Sequence, residues 1–283
     1  MALQSTPAGT EYDTADLDRV ERLFWRDCWD GLDPGLAAEH GVALRDFGPV
    51  QALVVAELPG AGMLNQALGA SLPGAIESGE LEAAVEWMGA QGVPPHVPVT
   101  PGTPAAAETE AWLTANGFEP GYAWMKFVRD PHPPRFREPS GIEVVEVDAP
   151  DQAPFGMIVA TGFGAPPWAA GLFDLPGREG WRCYVAKVDG TPQACAAMRI
   201  DGGVAEFGMA ATLEPARGKG CQLALLRRRI VDAAAASCDL LFVETGERVP
   251  DKPSNSYRNI LRAGFEEAYL RPNWKRAPRP SGG

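Results

Sequence analysis

Histidine is scarce in this chain and absent from its second half: His40, His96 and His132 are the three, and none follows. A histidine-based triad or metal site beyond residue 132 is therefore excluded unless the first half contributes to it. Cysteine is little better represented. Five residues, at 28, 183, 195, 221 and 238, make no CxxC pair and no metal-ligand spacing, so no metal is expected. Cys195 and Cys238 stand in apolar surroundings and read as buried small hydrophobes. No run approaches the roughly 18 to 20 apolar residues of a membrane span. The opening MALQSTPAGTEYDTAD carries neither the basic nor the apolar region of a secretory signal. The expected location is the reducing cytoplasm, with no membrane partner. Positive charge is in deficit too: 25 Lys and Arg face 37 Asp and Glu, a formal net charge of -12. That is the wrong balance for neutralising phosphates along a nucleic acid, and none is expected as a partner. It is compatible with a cationic amine.

A hydrophobic content of 45% over 283 residues is that of a globular chain with room for two domains. The most informative stretch is 212–236, TLEPARGKGCQLALLRRRIVDAAAA. It starts where a strand, Val204 to Thr212, runs out, passes through Arg217-Gly218-Lys219-Gly220, and enters an amphipathic helix. Leu223, Leu226, Ile230 and Ala234 recur at helical spacing, with Arg227, Arg228 and Arg229 largely off that stripe as a solvated face or a reach toward a phosphate. Glycines let backbone approach an anion, and a helix start offers unpaired N–H groups with the positive end of the dipole. Lys219 is followed by Gly220 and Cys221 rather than by Gly-Lys-Ser/Thr spacing, which excludes a Walker loop, and Leu223 stands where a dinucleotide fingerprint has its last glycine.

Further along, LLFVET (240–245) reads as a buried strand, SYRNILRAGF as a short helix ending at Gly264, and EEAYLRPNWKR as an extended tail. Arg217-x-x-Gly220-x-Gln222, followed by helix, strand, helix and Gly-Phe, resembles the acyl-CoA loop and closing elements of the GCN5-related N-acetyltransferases. Gln222 replaces the small residue usual at the last place of the loop. The resemblance implies an α/β (α+β) fold, a mixed, mostly antiparallel sheet flanked by helices, with acetyl-CoA or another acyl-CoA as cofactor.

The first half repeats part of this pattern. AWLTANGFEPGYAWMKF (111–127) and ILRAGFEEAYLRPNW (260–274) both end a helix in Gly-Phe-Glu before an aromatic strand, and Gly117 and Gly264 lie 147 residues apart. Two tandem domains are expected, 1–135 and 140–276, joined by the proline-rich DPHPPRFREPSG, with a disordered tail at 277–283 and a disordered start to about Thr14. The first domain reads as degenerate, because ASLPGAIESGEL (70–81) holds Glu77 and Glu80 and no basic residue where a phosphate loop would be.

Site residues follow from the resemblance. Cofactor binding falls to Ala211, Thr212, Arg217, Gly218, Lys219, Gly220, Cys221, Gln222 and Asn255. Glu206 and Glu244 are candidate bases, and Tyr257 the candidate acid toward the thiolate, since Ile260 occupies the family's tyrosine position. Phe163, Trp168 and Phe173, in the apolar segment 163–181, are candidates for the substrate pocket or simply caps of the core. Cys221, at a helix start that would lower a thiol pKa, is the alternative covalent nucleophile. The implied activity is transfer of an acyl group to the amine of a small molecule by direct attack in a ternary complex, in a monomer or homodimer. The alternative is a non-catalytic acyl-CoA-binding or regulatory protein.

Overall fold

A computed structural model describes residues 3–149, 154–250 and 254–276. In chain order, a strand pair β1 (Gln4–Ser5) and β2 (Glu11–Tyr12) precedes α1 (Thr14–Asp30) and α2 (Pro34–His40). Then come β3 (Val42–Phe47), β4 (Val50–Val55), β5 (Ala67–Leu68), α3 (Glu80–Ala90), β6 (His96–Pro98), α4 (Ala106–Ala115) and β7 (Phe118–Arg129). The second half runs β8 (Ile142–Val147), α5 (Phe155–Phe163), β9 (Trp181–Val188), β10 (Thr191–Asp201), β11 (Val204–Thr212), α6 (Cys221–Ala235), β12 (Leu240–Gly246), α7 (Asn255–Arg262) and β13 (Glu266–Arg276). The fold is mixed α/β. The sequence places most of these elements to within a few residues, but not β1, β2 or β5. Its helix over 152–161 begins on residues outside the described ones, as does the tail at 277–283.

The compact units divide the chain differently from the halves 1–135 and 140–276. One unit comprises Met1–Leu32 and Met125–Ala268, the other Asp33–Trp124 and Tyr269–Gly283. The reason lies in α1. Asp13 caps its start, and Leu17, Val20, Phe24 and Cys28 form a buried stripe. The Asp27 carboxylate accepts from Arg199 Nε at 2.8 Å and from Trp181 Nε1 at 2.7 Å, which ties the helix to β9 and β10. Nor is the start of the chain without structure. Tyr12 donates to the carbonyl of Ala268, and Thr6 bonds to Glu266.

In the first unit the strands run in the order 266–268 of β13, 125–129 of β7, then β12, β11, β10, β9 and β8. β8 to β11 form an antiparallel meander, and β11 pairs parallel with β12. One face carries the main core: Phe207, Met198, Tyr184 and Leu241 beneath Leu225, Leu226 and Ile230 of α6 and Tyr257 and Ile260 of α7. Side chains alternate along a strand, so Glu206 and Gly208 face the other way. A Cβ on Gly208 would sit 2.3 Å from the Phe24 ring, which places α1 on that second face.

In the other unit β3, β4 and β5 form an antiparallel sheet, and Val50 and Val54 pack with Leu81 and Met88 of α3. The start of α3 is already negative. Glu80 and Glu82 lie in its first turn, and Glu77 accepts from the Gly74 amide at 3.1 Å. A phosphate brought there would meet like charge.

Candidate functional site

The site begins where β11 and β12 part. Their parallel register runs from Val204 opposite Leu240 to Phe207 opposite Val243 and stops there. On its other edge β11 changes register. Cys195 faces Ala211 and Ala197 faces Gly208, so Met209 and Ala210 together oppose Ala196. That is a β-bulge, and Met209 adopts φ 48°, a left-handed backbone rare outside glycine. A bulge bends its strand, here beside the point of parting. Backbone strain of this kind costs about 1–3 kcal/mol and persists only where the surroundings hold it.

Beyond Thr212 a short 3₁₀ turn, Glu214–Ala216, leads into the glycine loop. Gly218 has φ 80° and Gly220 φ 98°, and a Cβ on Gly220 would lie 2.9 Å from Cβ of Pro139. Only glycine meets both demands at position 220. α6 starts at the next residue, and no side chain caps it. Its first-turn N–H groups and dipole are thus available to an anion.

Loop, bulge and α7 enclose a groove of about 920 Å³. Ala211, Thr212, Arg217 to Gln222 and Asn255 all border it. So do residues that the sequence reading missed. Arg137 to Ser140, part of the proline-rich linker, form one wall, and Arg258, Asn259 and Arg262 form another. Asn255, Arg258, Asn259 and Arg262 share one helix face at i, i+3, i+4 and i+7, a spacing legible in NSYRNILRAGF. Among the described residues, five basic ones line the groove, Arg137, Arg217, Lys219, Arg258 and Arg262, against one acidic residue, Glu138. In a chain of net charge -12 this is a local reversal of sign. Gln222 bridges two walls: its Nε2 donates to Ser256 Oγ at 3.1 Å, and its Oε1 accepts from Asn259 Nδ2 at 2.8 Å.

The catalytic candidates do not border this groove. Glu206 is only 4% exposed, on the α1-covered face. Glu244 follows the last β12 residue paired with β11, is partly exposed, and sits 2.8 Å from Lys126 Nζ. Lys126, wholly buried, also lies 3.0 Å from Glu21 of α1. Tyr257 points into the core. Its hydroxyl donates to Glu267 at 2.7 Å, Phe127 meets its ring edge-on, and Arg248 lies 4.3 Å over that ring. Burial first, and then the bond to Glu267, raises its pKa to about 12. The sign follows. A neutral form favoured by folding stabilises fully below the unfolded tyrosine value of about 10, and that stabilisation disappears as pH rises through about 12. Urea midpoints of wild type should therefore fall more steeply between pH 10 and 12 than those of Tyr257→Phe. Parallel curves would show the hydroxyl to be no more committed than a free one.

Other expectations need correction. Burial raises the Cys221 thiol, overriding the helix start, so it is no ready nucleophile. The three arginines of α6 do not border the groove. Arg227 donates to the carbonyls of Pro134 and Phe136, and Arg228 pairs with Asp232. Arg229 is no surface residue but 1% exposed, part of a stripe with Leu226, Ile230 and Ala233; Ala234 is exposed. Phe173 is buried, meets the exposed Phe163 edge-on and lies off the groove, as do Phe163 and the half-buried Trp168. α5 does approach the bulge, since a Cβ on Gly162 would sit 2.5 Å from that of Ala211.

A split mixed sheet, a glycine loop at an uncapped helix start and a closing helix–strand pair constitute the fold of the GCN5-related N-acetyltransferases. Solved structures agree. One such protein from Kribbella flavida superposes with a TM-score of 0.63 at 17% identity, over 95% of this chain and 96% of its own. Another from Sphaerobacter thermophilus gives 0.57 at 16% identity over 82% and 78%. A tandem protein of this type from the clavulanic acid biosynthesis pathway gives 0.54 at 16% identity over 82% and 79%. No family model and no curated protein matches the sequence. At these identities the likeness is one of fold.

Proposed function

We propose that the chain is a CoA-dependent acyltransferase that moves an acyl group from acetyl-CoA or another acyl-CoA to the amine of a small molecule. The observation that carries this is the basic groove at an uncapped helix start in an otherwise acidic chain. CoA is a polyanion with a pyrophosphate and a 3′-phosphate, and the residues fit it. The Gly218–Gly220 backbone and first turn of α6 hold the pyrophosphate, while Arg217, Lys219 and the arginines of α7 supply full charges. Ala211 and Thr212 pair with the pantetheine arm, and the backbone around the bulge polarises the thioester carbonyl. Bound acyl-CoA supplies the activated acyl group, which a neutral amine attacks directly; the new C–N bond replaces the C–S bond, and CoA leaves as a thiolate that takes up the proton the nitrogen loses.

Of the two carboxylates, Glu244 is the better base. It stands at the parting of β11 and β12 with access to solvent, whereas Glu206 is enclosed. Glu244 takes the ammonium proton, directly or through water. We further infer that the chain descends from two tandem copies of one fold, of which the first has lost its anion site. Among the described residues no helix is long and apolar enough to cross a membrane.

A second reading, acyl-CoA binding without turnover, is favoured by the engagement of Tyr257 with Glu267 and the enclosure of Glu206. Thiol release from acyl-CoA over a panel of amines separates the two. An acyltransferase releases CoA with at least one amine, and Glu244→Gln cuts that rate about 100-fold or more while changing acetyl-CoA affinity less than twofold. Binding without release from any amine supports the second reading.

A further inference from the structure

Among the described residues Arg229 is the largest fully buried side chain, and no carboxylate there forms an ion pair with it. Its contacts converge on the parting of the strands. Nη1 donates to the Ala197 carbonyl at 3.0 Å, and Ala197 is the β10 residue at which the register against β11 shifts. Nε approaches the Leu225 carbonyl one turn back along α6 at 3.3 Å. The guanidinium lies 4.6 Å from the centroid of Phe207, the last β11 residue paired with β12. Burial lowers its pKa to about 9, so keeping a cation here costs free energy that an apolar side chain would not. From the other side the bulge is met by Cys195, whose thiol lies 3.6 Å from the Met209 carbonyl.

We propose that Arg229 is a positioning residue for the thioester half of the ligand: it pins β10 beneath the Met209–Ala210 bulge, and so fixes the backbone of Ala211 and Thr212, without touching the ligand itself. The inference rests on the acyl-CoA reading. Arg229 does not border the groove, whereas Ala210, Ala211 and Thr212 do. The glycine loop that would hold the pyrophosphate is a separate segment, with its conformation set by Gly218, Gly220 and Pro139. Loss of Arg229 should therefore uncouple the two halves of the ligand.

The test compares two probes by calorimetry. One is acetyl-CoA; the other is 3′-phospho-ADP, which carries the nucleotide and pyrophosphate but no thioester arm. In Arg229→Met, acetyl-CoA should bind about tenfold more weakly while 3′-phospho-ADP stays within about twofold of wild type. Arg229→Lys serves where the methionine variant does not fold. Its compact ammonium, without the planar fork of the guanidinium, should give the same selective loss, about threefold. Equal losses on both probes, or no loss on either, overturn the inference. A wild type that binds neither probe overturns the acyl-CoA reading and this inference together, so the two failures are distinguishable.

Discussion

Gly220→Val should weaken acyl-CoA binding about 100-fold or more while leaving a folded protein. Position 220 has φ 98°, and an added Cβ would lie 2.9 Å from the Pro139 side chain. A β-branched residue there is strained by about 1–3 kcal/mol and pushes the loop away from the 137–140 wall of the groove. Either response moves the N–H groups that start α6. The expected weakening toward acetyl-CoA is about 100-fold or more, which corresponds to about 2.8 kcal/mol. Folding should survive, because the loop lies outside the core formed by Leu225, Ile230 and Phe207. Binding within about threefold of wild type would mean that the loop is not the anion site.

Lys126→Met is expected to have the largest effect on stability. Lys126 is wholly buried between Glu21, 2% exposed, and Glu244, 18% exposed, at 3.0 and 2.8 Å. The variant removes a cation that lies between two carboxylates in a low-dielectric setting. Breaking a buried pair from one side costs about 3–5 kcal/mol, far more than an exposed pair is worth. Because Glu21 belongs to α1, the loss also loosens the helix from the face that holds Glu206. Urea denaturation gives the number. A loss under about 1 kcal/mol would show that the three groups are solvated rather than mutually dependent. Glu21→Gln should cost less, since Lys126 keeps Glu244.

The part of this site legible in the sequence is the part encoded locally. A strand, two glycines flanked by Arg217 and Lys219, and an apolar stripe at helical spacing sit within about thirty consecutive residues, and the structure folds them as one strand–loop–helix. What was not legible depends on distant partners. Met209 adopts a left-handed backbone without being glycine, because the register of β10 demands an extra residue in β11. Arg229 reads as polar and therefore outward. It is buried because a carbonyl and an aromatic ring receive it. Chain order suggested that α1 belongs with the first half. Its contacts with Arg199, Trp181 and Lys126 place it instead in the unit that contains the groove. Tyr257 reads as the acid because it lies one turn before Ile260, which holds the family's tyrosine position, yet residue type says nothing of direction along a short helix. Asn255, Arg258, Asn259 and Arg262 take the groove side, and Tyr257 and Ile260 take the core.

The acyl-CoA reading stands or falls on calorimetric titration of wild type with acetyl-CoA. The account predicts saturation near one ligand per chain, displaced by 3′-phospho-ADP and weakened about 100-fold or more in Gly220→Val. Absence of binding by any acyl-CoA, or binding that Gly220→Val leaves intact, would contradict it.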